Sequence, residues 1–208
     1  MRPAKLVRLM GNLGSDADDG RTRIVIDPHV HSEDSYDGKE PVELILEHAE
    51  DIGLDGVVIT DHDEIDESLR AAEMASDYGL IGVPGVEVST SHGHLLAIGV
   101  EEKPRKRQPV MDTVERVREL GGAAVVPHPF QVTRHGVKKK RIKDCDGIEV
   151  YNAWLFTGYR NRRARTFARK NDYPRIGASD AHSITMVGRA YTEIVFDEKR
   201  RDEITSHD

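Results

Sequence analysis

Short apolar runs alternate with amphipathic segments along the chain from residue 23 onwards. The apolar runs are rich in valine and isoleucine and are bounded by glycine or polar residues, as expected for buried strands. Eight such runs occur, at residues 23–27, 55–60, 80–89, 94–100, 123–128, 147–152, 175–179 and 191–196.

Four segments between these runs have the spacing of amphipathic helices, and they lie at residues 41–53, 66–79, 109–122 and 158–172. The first segment begins with Pro41, which suits the first turn of a helix because its missing N–H would have no partner there. Its apolar side chains recur every three or four residues, so they share one face, and Gly53 marks its end. The third segment has the same design and ends at Gly121.

Strands that alternate with helices in this way predict an α/β fold with a largely parallel sheet. The pattern contains no strong repeat, linker or low-complexity tract, so we expect a single domain over residues 23–208. Residues 1–22 are rich in glycine and aspartate and lack periodicity. They are predicted to form a flexible N-terminal arm.

Composition narrows the class of protein. The chain has 208 residues, 38% of them hydrophobic, and a formal net charge of -7. The negative charge argues against a protein that coats nucleic acid, but it leaves a nucleic acid open as a substrate. The single cysteine, Cys145, excludes an internal disulfide and a cysteine-rich zinc site. Without a signal-peptide pattern or an 18-residue apolar segment, we expect a cytoplasmic protein with no membrane partner.

Histidine and acidic residues recur at the ends of the apolar runs. In a parallel α/β sheet the carboxyl ends of the strands share one edge, where active sites lie. We therefore expect six distant segments to converge there. Their residues are His29, His31, Asp61, His62, Asp63, Glu87, His92, His94, His128, Asp180 and His182. His94 precedes its run and so requires an antiparallel or irregular strand.

The spacing of these residues favours metal binding. Side chains at i and i+2 of a strand point the same way, so His29 and His31 can hold one ion together, as can Asp180 and His182. Imidazole and carboxylate ligands without thiolate suit zinc, manganese or iron. The ligands exceed the needs of one tetrahedral ion, which predicts two or three divalent ions bridged by a carboxylate such as Glu87. Such ions clamp a phosphoryl group and lower the pKa of a bound water.

Six motifs in a fixed order carry a family resemblance, and they read DPHVHSEDSYDG, ITDHD, GVEVS, HLLAIG, PHP and GASDAH. Together they resemble the polymerase-and-histidinol-phosphatase (PHP) family of metal-dependent phosphoesterases, over residues 24–196. The resemblance implies a distorted TIM-like (β/α)7 barrel with two or three metal ions at its mouth.

The resemblance also implies three sets of metal ligands. The sets are His29, His31, Glu87 and Asp180; Asp37, His62 and His182; and His128 with Glu87 and His94. Asp37 stands where some relatives carry histidine, which implies weaker binding or a harder ion. Within these sets the predicted catalytic residues are His29, His31, Asp180 and His182. Asp61 and Asp27 are predicted to orient imidazoles, and Asp27 equally suits a structural role.

Several polar residues near the predicted strand ends are candidates for binding substrate. Residues 131–143 form a basic segment directly after His128, which suits either a phosphate site or a solvated surface. The predicted substrate-binding residues are Arg134, His135, Asn152, Arg160 and Arg189. Arg189 equally suits a surface ion pair. Trp154 suits stacking on a base, an aromatic lid or a core position.

The leading hypothesis is a metal-dependent phosphoesterase in which a metal-activated water hydrolyses a small phosphate ester, a nucleotide or a short nucleic acid. Monoester and diester substrates both remain open. The second hypothesis is an amidohydrolase, a class that also uses a strand-end His-x-His but commonly bridges its metals with a modified lysine. No lysine ends a strand here. The third is a non-catalytic, metal-stabilised PHP module that binds a partner.

Overall fold

The computed structural model describes residues 21–155, 158–197 and 203–205. In these ranges the chain forms nine strands and four α-helices. In chain order they are β1 (Thr22–Val30), α1 (Val42–Asp51), β2 (Gly56–Ile59), α2 (Asp66–Met74), β3 (Ile81–Gly82), β4 (Gly85–Thr90), β5 (Gly93–Ile98), α3 (Val110–Glu119), β6 (Ala123–Val126), β7 (Gly147–Asn152), α4 (Gly158–Lys170), β8 (Arg175–Ala178) and β9 (Thr192–Phe196). Each of the four predicted helical segments contains a helix, and each of the eight apolar runs contains at least one strand.

The run 80–89 forms two strands instead of one. β3 ends at Gly82, and Pro84, which has no N–H to donate to a ladder, precedes β4. The two strands belong to different sheets, since β3 pairs with β2 and β4 pairs with β5. The break therefore transfers the chain from one sheet to the other.

The strands form two mixed sheets with the orders β3-β2-β1-β9 and β4-β5-β6-β7-β8. Four of the seven strand pairs are parallel and three are antiparallel, so the prediction of a largely parallel sheet holds only in part. β5 is antiparallel to both neighbours, as the position of His94 required. The ladders do not close into one cylinder, but single parallel bridges join the sheets at Val30–Ala181 and His62–Glu87.

Each sheet has its own hydrophobic core. α1 and α2 cover the first sheet, and α1 buries Val42, Ile45, Leu46 and Ala49 on one face. α3 and α4 cover the second sheet, around a cluster that includes Leu95, Val114 and Ile148. Full burial of each large aliphatic side chain contributes roughly 1.5–3 kcal/mol, which fixes the helices on the outside of the sheets. The polar strand ends are left to face each other.

The predicted N-terminal arm falls outside the described residues except for residues 21 and 22, and β1 already begins at Thr22. In the described part of the chain, no helix has both the length and the apolar character needed to cross a membrane.

Candidate metal centre

The polar residues at the strand ends converge at the seam between the two sheets. His29 lies in β1, His31 follows it, and His62 follows β2 in the same sheet. Glu87 lies in β4 of the other sheet, and the bridge between His62 and Glu87 joins the two. His128 and Asp180 follow β6 and β8. The site is therefore built from both sheets, and most of its side chains are buried.

His29, His31 and two carboxylates form the centre of the cluster. The Nε2 atoms of His29 and His31 lie 3.2 Å apart. Each of these nitrogens is 3.4 Å from Glu87 Oε2 and 3.5 Å from Asp180 Oδ1. Four ligand atoms thus surround one small volume, as the i,i+2 spacing of the histidines predicted.

Two further groups flank this centre. Asp37 Oδ2 lies 3.1 Å from His182 Nε2 and 3.5 Å from His62 Nε2. On the other side, Glu87 Oε1 lies 2.9 Å from His94 Nδ1 and 3.1 Å from His128 Nε2. Glu87 therefore offers one oxygen to each side, as a bridging carboxylate does.

Ligand atoms that lie within 4.8 Å of one another define four groups in the described part of the chain. These groups share members, and together they contain all nine residues that the sequence predicts as ligands, and no others. The groups are His31, Asp37, His62 and His182; His29, His31 and Glu87; His29, His128 and Asp180; and His62, Glu87 and His94.

The geometry fits divalent metal ions better than hydrogen bonds. Two ligand atoms that are each about 2.1 Å from one ion lie about 3.4 Å apart in tetrahedral geometry, close to the central distances here. Glu87 Oε2, His62 Nδ1 and His128 Nδ1 are buried and have no hydrogen-bond partner among the residues that the structure describes, although the first two atoms lie 3.2 Å apart. Unpaired buried polar atoms are costly. A shared cation would satisfy Glu87 and His62.

The charges at the centre depend strongly on one another. Burial alone would raise the pKa of Glu87, but the imidazoles of His94 and His29 hold it well below its usual range. Burial alone would lower the pKa of His29, and the carboxylates of Asp180 and Glu87 raise it instead. Burial lowers the pKa of His31 to about 4. The neutral imidazole of His31 is the form that binds a metal.

Two of the candidate ligands have unusual backbone conformations. His128 and Asp180 have φ angles of 27° and 56°. Such angles cost non-glycine residues on the order of 1–3 kcal/mol, and they concentrate at functional sites. The backbone N–H of His128 donates to Glu149 Oε2 at 2.6 Å, which holds this residue in place.

Glu149 is the main residue of the site that the sequence analysis missed. Its carboxylate accepts hydrogen bonds from His29 Nδ1 at 3.0 Å and from Asn152 Nδ2 at 2.9 Å, as well as from His128. It therefore orients His29 and positions the loop that carries His128. A signal was available, because an acidic residue inside the apolar strand GIEVYN must be paired to be buried.

Asp27 and Asp61 do not orient imidazoles, so that prediction is wrong. Asp61 accepts hydrogen bonds from the backbone N–H and the hydroxyl of Ser32, both at 2.6 Å. Asp27 accepts backbone N–H groups of Ser179 at 3.0 Å and Gly188 at 2.9 Å. Both carboxylates fix the loops beside the ligands, and the structural alternative for Asp27 is the correct one. Burial raises the pKa of each to about 6.

Comparison with known proteins gives the chain a family. Residues 158–207 match the family model PHP_C, described as PHP-associated. An uncharacterized protein from Methanocaldococcus jannaschii is 30% identical over 149 residues, which cover 66% of this chain and 87% of that protein.

Solved structures share the fold at lower identity. A two-domain protein from Bacteroides vulgatus, described as containing a predicted PHP-like metal-dependent phosphoesterase, aligns with a TM-score of 0.75 and 19% identity, over 100% of this chain and 67% of that one. The chain belongs to the PHP domain family.

Two other solved structures with the same fold carry different names. An amidohydrolase from Chromobacterium violaceum aligns with the PHP domain at a TM-score of 0.62 and 18% identity, over 79% of this chain and 90% of that one. Endonuclease Q was solved in complex with a 27-mer duplex that carries an abasic lesion at the active site. It aligns with a TM-score of 0.61 and 17% identity, over 88% of this chain and 55% of that one. At these identities the likeness shows the fold alone.

Two of the five predicted substrate-binding residues line a cavity beside the metal centre of the PHP domain. This cavity has a volume of about 150 Å³, and Arg134, His135 and Tyr36 are among its lining residues. Arg134 Nη1 lies 3.1 Å from Asp180 Oδ2, and its guanidinium lies 5.2 Å from the centre of the Trp154 ring. The ring of His135 stacks on that of His94 at 5.1 Å.

The other three predicted substrate-binding residues lie elsewhere in the PHP domain. Asn152 is fully buried, and its amide donates to Asp180 Oδ2 at 2.8 Å, so it positions a ligand instead of contacting substrate. Arg189 is exposed and donates to the carbonyl of Thr185 at 2.9 Å. Arg160 is in α4 and makes no ion pair with the cluster among the described residues.

Proposed function

We propose that this PHP domain is a metal-dependent phosphoesterase that hydrolyses a phosphate ester with water. The observation that supports this best is the set of nine histidine and acidic residues in four overlapping groups around Glu87. The single cysteine, Cys145, lies in the core of the second sheet, and the hydroxyl of the buried Ser35 is already engaged with His31 Nδ1 at 3.3 Å and Asp37 Oδ1 at 2.9 Å. The proposal therefore places the nucleophile on water.

The four groups would hold two or three divalent ions, with zinc, manganese and iron as the best matches to imidazole and carboxylate ligands. When bound, such ions lower the pKa of a water molecule and offset the negative charge of a phosphoryl group. Glu149 keeps Nε2 of His29 directed at the centre by accepting the hydrogen bond from Nδ1. Asn152 does the same for Asp180.

Arg134 is the proposed anchor for the phosphate group. Its guanidinium lies at the wall of the 150 Å³ cavity and 3.3 Å or less from both oxygens of Asp180. Guanidinium groups bind phosphate oxygens through two parallel hydrogen bonds. An incoming phosphate would share Arg134 with Asp180, and the 5.2 Å contact with Trp154 would hold the guanidinium in place.

The fold that supports this chemistry is proposed to be a distorted seven-stranded barrel. The two single bridges place β1 beside β8 and β2 beside β4. With these contacts, seven strands would follow each other in a ring, in the order β1, β2, β4, β5, β6, β7 and β8. β3 and β9 extend the first sheet outside that ring.

The proposed function is tested with the purified protein, to which manganese, zinc or iron(II) is added one at a time, against a panel of phosphate monoesters and diesters. We expect release of phosphate or of the ester's alcohol in at least one combination. His31→Ala should reduce turnover by more than about 100-fold, which exceeds the usual loss for residues that only orient ligands. His48→Ala, in α1, is the matched control and should leave turnover unchanged.

The same experiment addresses the alternatives. An amidohydrolase with this fold gives one reason to include a lactone and a cyclic amide in the panel. Hydrolysis of these compounds without hydrolysis of phosphate esters would replace the proposal. A non-catalytic module would turn over nothing, and its His31→Ala variant would mainly lose the increase in melting temperature that metal gives.

A further inference from the structure

A second cavity is lined by α4 and by the segment that follows β6. It has a volume of about 310 Å³, and we call it the α4 groove. It is lined by Phe130, Lys139, Tyr159, Arg162, Arg163, Thr166, Phe167, Lys170 and Asn171. The proposed hydrolysis uses none of these residues.

The charge of the α4 groove is opposite to that of the chain. Four of its nine lining residues are lysine or arginine and none is acidic, whereas the whole chain has a net charge of -7. Among the described residues, none of these four cations forms an ion pair, although arginines elsewhere are paired, such as Arg118 with Asp144 and Asp146. A cluster of unpaired cations in an acidic protein indicates an anionic ligand.

Aromatic rings hold two of these cations at the groove. The guanidinium of Arg163 lies 5.1 Å from the centre of the Phe130 ring and 5.8 Å from that of Tyr159. The amine of Lys139 lies 5.7 Å from the Phe167 ring. Such contacts restrict the long side chains and keep their charge directed into the groove. The ring of Tyr159 is 65% exposed, so it still has a free surface for a planar ligand.

The α4 groove is connected to the metal centre through one short segment of chain. His128 is a candidate metal ligand, and Phe130, two residues later, lines the groove. Arg134 contacts Asp180 at the centre, and Lys139, five residues later, lines the groove again. A chain-like ligand that occupies the groove would therefore reach the metal centre along this segment.

We propose that the α4 groove binds a single-stranded nucleic acid and that this strand is the substrate of the metal centre. Unpaired cations along the strand's path would contact its phosphates, and the exposed face of Tyr159 would stack on a base, which is how single strands are bound without sequence preference. The statement about the substrate rests on the proposed function, whereas the statement about binding does not. An acidic peptide would match the cations but would leave the exposed ring without a planar partner.

The binding statement is tested without metal. A fluorescently labelled 12-nucleotide oligo-dT or oligo-U is titrated with the full chain in the presence of a chelator, and its anisotropy is measured. Arg162→Glu combined with Arg163→Glu should weaken binding at least about tenfold and make it less salt-dependent, since each lost phosphate contact lowers the salt slope by about 0.7 for single strands. The DNA and RNA probes show which sugar the groove prefers.

The chain offers a matched control on the same helix. Arg165 and Arg169 are exposed residues of α4 outside the groove, so Arg165→Glu combined with Arg169→Glu makes the same change in charge and helix composition. This control should keep binding within about twofold of the original. Equal weakening by both double variants would show a general charge effect and would overturn the proposal, as would the lack of any binding.

Two further measurements separate nucleic acid from other polyanions. Tyr159→Ala should weaken oligonucleotide binding several-fold, by about the loss of one stacked base. Poly-glutamate should compete poorly. Unchanged binding by Tyr159→Ala together with strong competition by poly-glutamate would assign the groove to acidic peptides instead.

The substrate statement is tested with metal added. The groove double variant should lose at least about tenfold in kcat/KM for oligonucleotide cleavage and should hydrolyse bis(p-nitrophenyl) phosphate at an unchanged rate. If no ester is cleaved but the oligonucleotide still binds in the groove, the proposed function fails and the binding site remains. If the small ester is cleaved and the oligonucleotide does not bind, the groove proposal alone fails.

Discussion

Glu87 is the residue that connects the two halves of the candidate metal centre. Its side chain is buried, and both of its oxygens face imidazoles at 2.9–3.4 Å. Five histidines take part, and these are His29, His31, His62, His94 and His128. A carboxylate in such a position holds a negative charge that positive groups must balance, and their pKa shifts show this mutual dependence.

Replacement of Glu87 by glutamine is therefore predicted to reduce metal binding far more than folding. The amide keeps the shape of the side chain but removes the charge that two neighbouring ions would share. Metal content per chain, measured by elemental analysis after dialysis against manganese or zinc, should fall by at least one ion. Glu47→Gln, at an exposed position of α1, provides the control. An unchanged metal content in Glu87→Gln would contradict the bridging role.

Glu149 is not a candidate ligand itself, but its carboxylate holds two candidate ligands in place through hydrogen bonds. It is buried, and it accepts three hydrogen bonds, from His29, His128 and Asn152. Glu149→Gln preserves the volume but places an amide N–H where one donor now points, so the orientation of His29 should be lost. We expect metal affinity or turnover to fall by about 10–100-fold, which is typical of residues that orient ligands. The affinity is measured by competition with a chelator.

A purely structural role for Glu149 would give a different result. The variant would then unfold at lower urea concentration but bind metal with unchanged affinity once folded. Comparison with Asp61→Asn separates the two effects, because the hydrogen bonds of the Asp61 carboxylate in the described part of the chain go to Ser32 and not to an imidazole. Asp61→Asn should lose stability, by about 1–3 kcal/mol for the disrupted buried hydrogen bonds, while metal affinity is less affected.

The sequence alone located the candidate ligands but not the residues that hold them. Strand-end histidines and carboxylates are recognisable because the i,i+2 pairs His29–His31 and Asp180–His182 have a chemical reason to recur. Glu149 lies inside an apolar run, whereas Asp27 and Asp61 lie at the ends of two others, and none of these positions shows which polar group the carboxylate will contact. Which of them contacts an imidazole depends on the register of neighbouring strands, and the pattern of one chain does not contain that information.

At the scale of the elements, the basic segment after β6 is fixed to the sheet through glycine. Gly93 begins β5 with a φ of 128°, and a Cβ atom there would lie 2.3 Å from the carbonyl oxygen of His135. The neighbouring backbone bond from His94 N–H to that same carbonyl is 2.8 Å long. The absence of a side chain at this position is therefore what lets the segment lie against β5 and present Arg134 to the site.

Gly93→Ala is predicted to displace this segment and with it Arg134. The new methyl group meets backbone atoms, which cannot rotate away, and the backbone conformation itself is unfavourable for alanine. We expect KM for an active phosphate ester to rise at least about tenfold, as the phosphate anchor is lost. Gly158→Ala is the control, since a Cβ atom at Gly158 has no neighbour within 4 Å. An unchanged KM in Gly93→Ala would show that the segment does not depend on this contact.

The helices could be predicted from the periodicity of their apolar residues, whereas the strand boundaries that depend on pairing with other strands could not. The helices were found because their apolar faces repeat every three to four residues, as in α1. The run 80–89 was treated as one strand because it is apolar throughout, whereas Pro84 divides it between two sheets. The position of His94 before its run predicted an antiparallel or irregular strand, and β5 is the antiparallel one of these two alternatives.

At the scale of the whole molecule, the candidate ligands come from both sheets. His29 lies in a strand of the first sheet, and His31 and His62 follow strands of that sheet. Glu87 lies in a strand of the second sheet, and His128 and Asp180 follow strands of it. Among the described residues, the backbone bridges between the sheets are two single ones, at Val30–Ala181 and His62–Glu87. Ions bound between these side chains would therefore link two separate hydrophobic cores. The sequence predicted the meeting of the strand ends, but the open ladders depend on long-range pairing that it does not specify.

Metal binding is accordingly predicted to stabilise the entire chain, and Cys145 can report it. This single cysteine is buried in the core of the second sheet, and burial raises the pKa of its thiol to about 12, so the folded protein should react slowly with iodoacetamide at pH 8. Alkylation then requires opening of the structure.

A ligand at 100 times its Kd stabilises the native state by about 2.7 kcal/mol, so manganese should slow alkylation by up to about 100-fold, and a chelator should reverse this. Mass spectrometry measures the modified fraction, and protein unfolded in urea shows whether manganese affects the reaction itself. If manganese leaves the alkylation rate of folded Cys145 unchanged while it binds at the stated excess, the ions do not connect the two sheets.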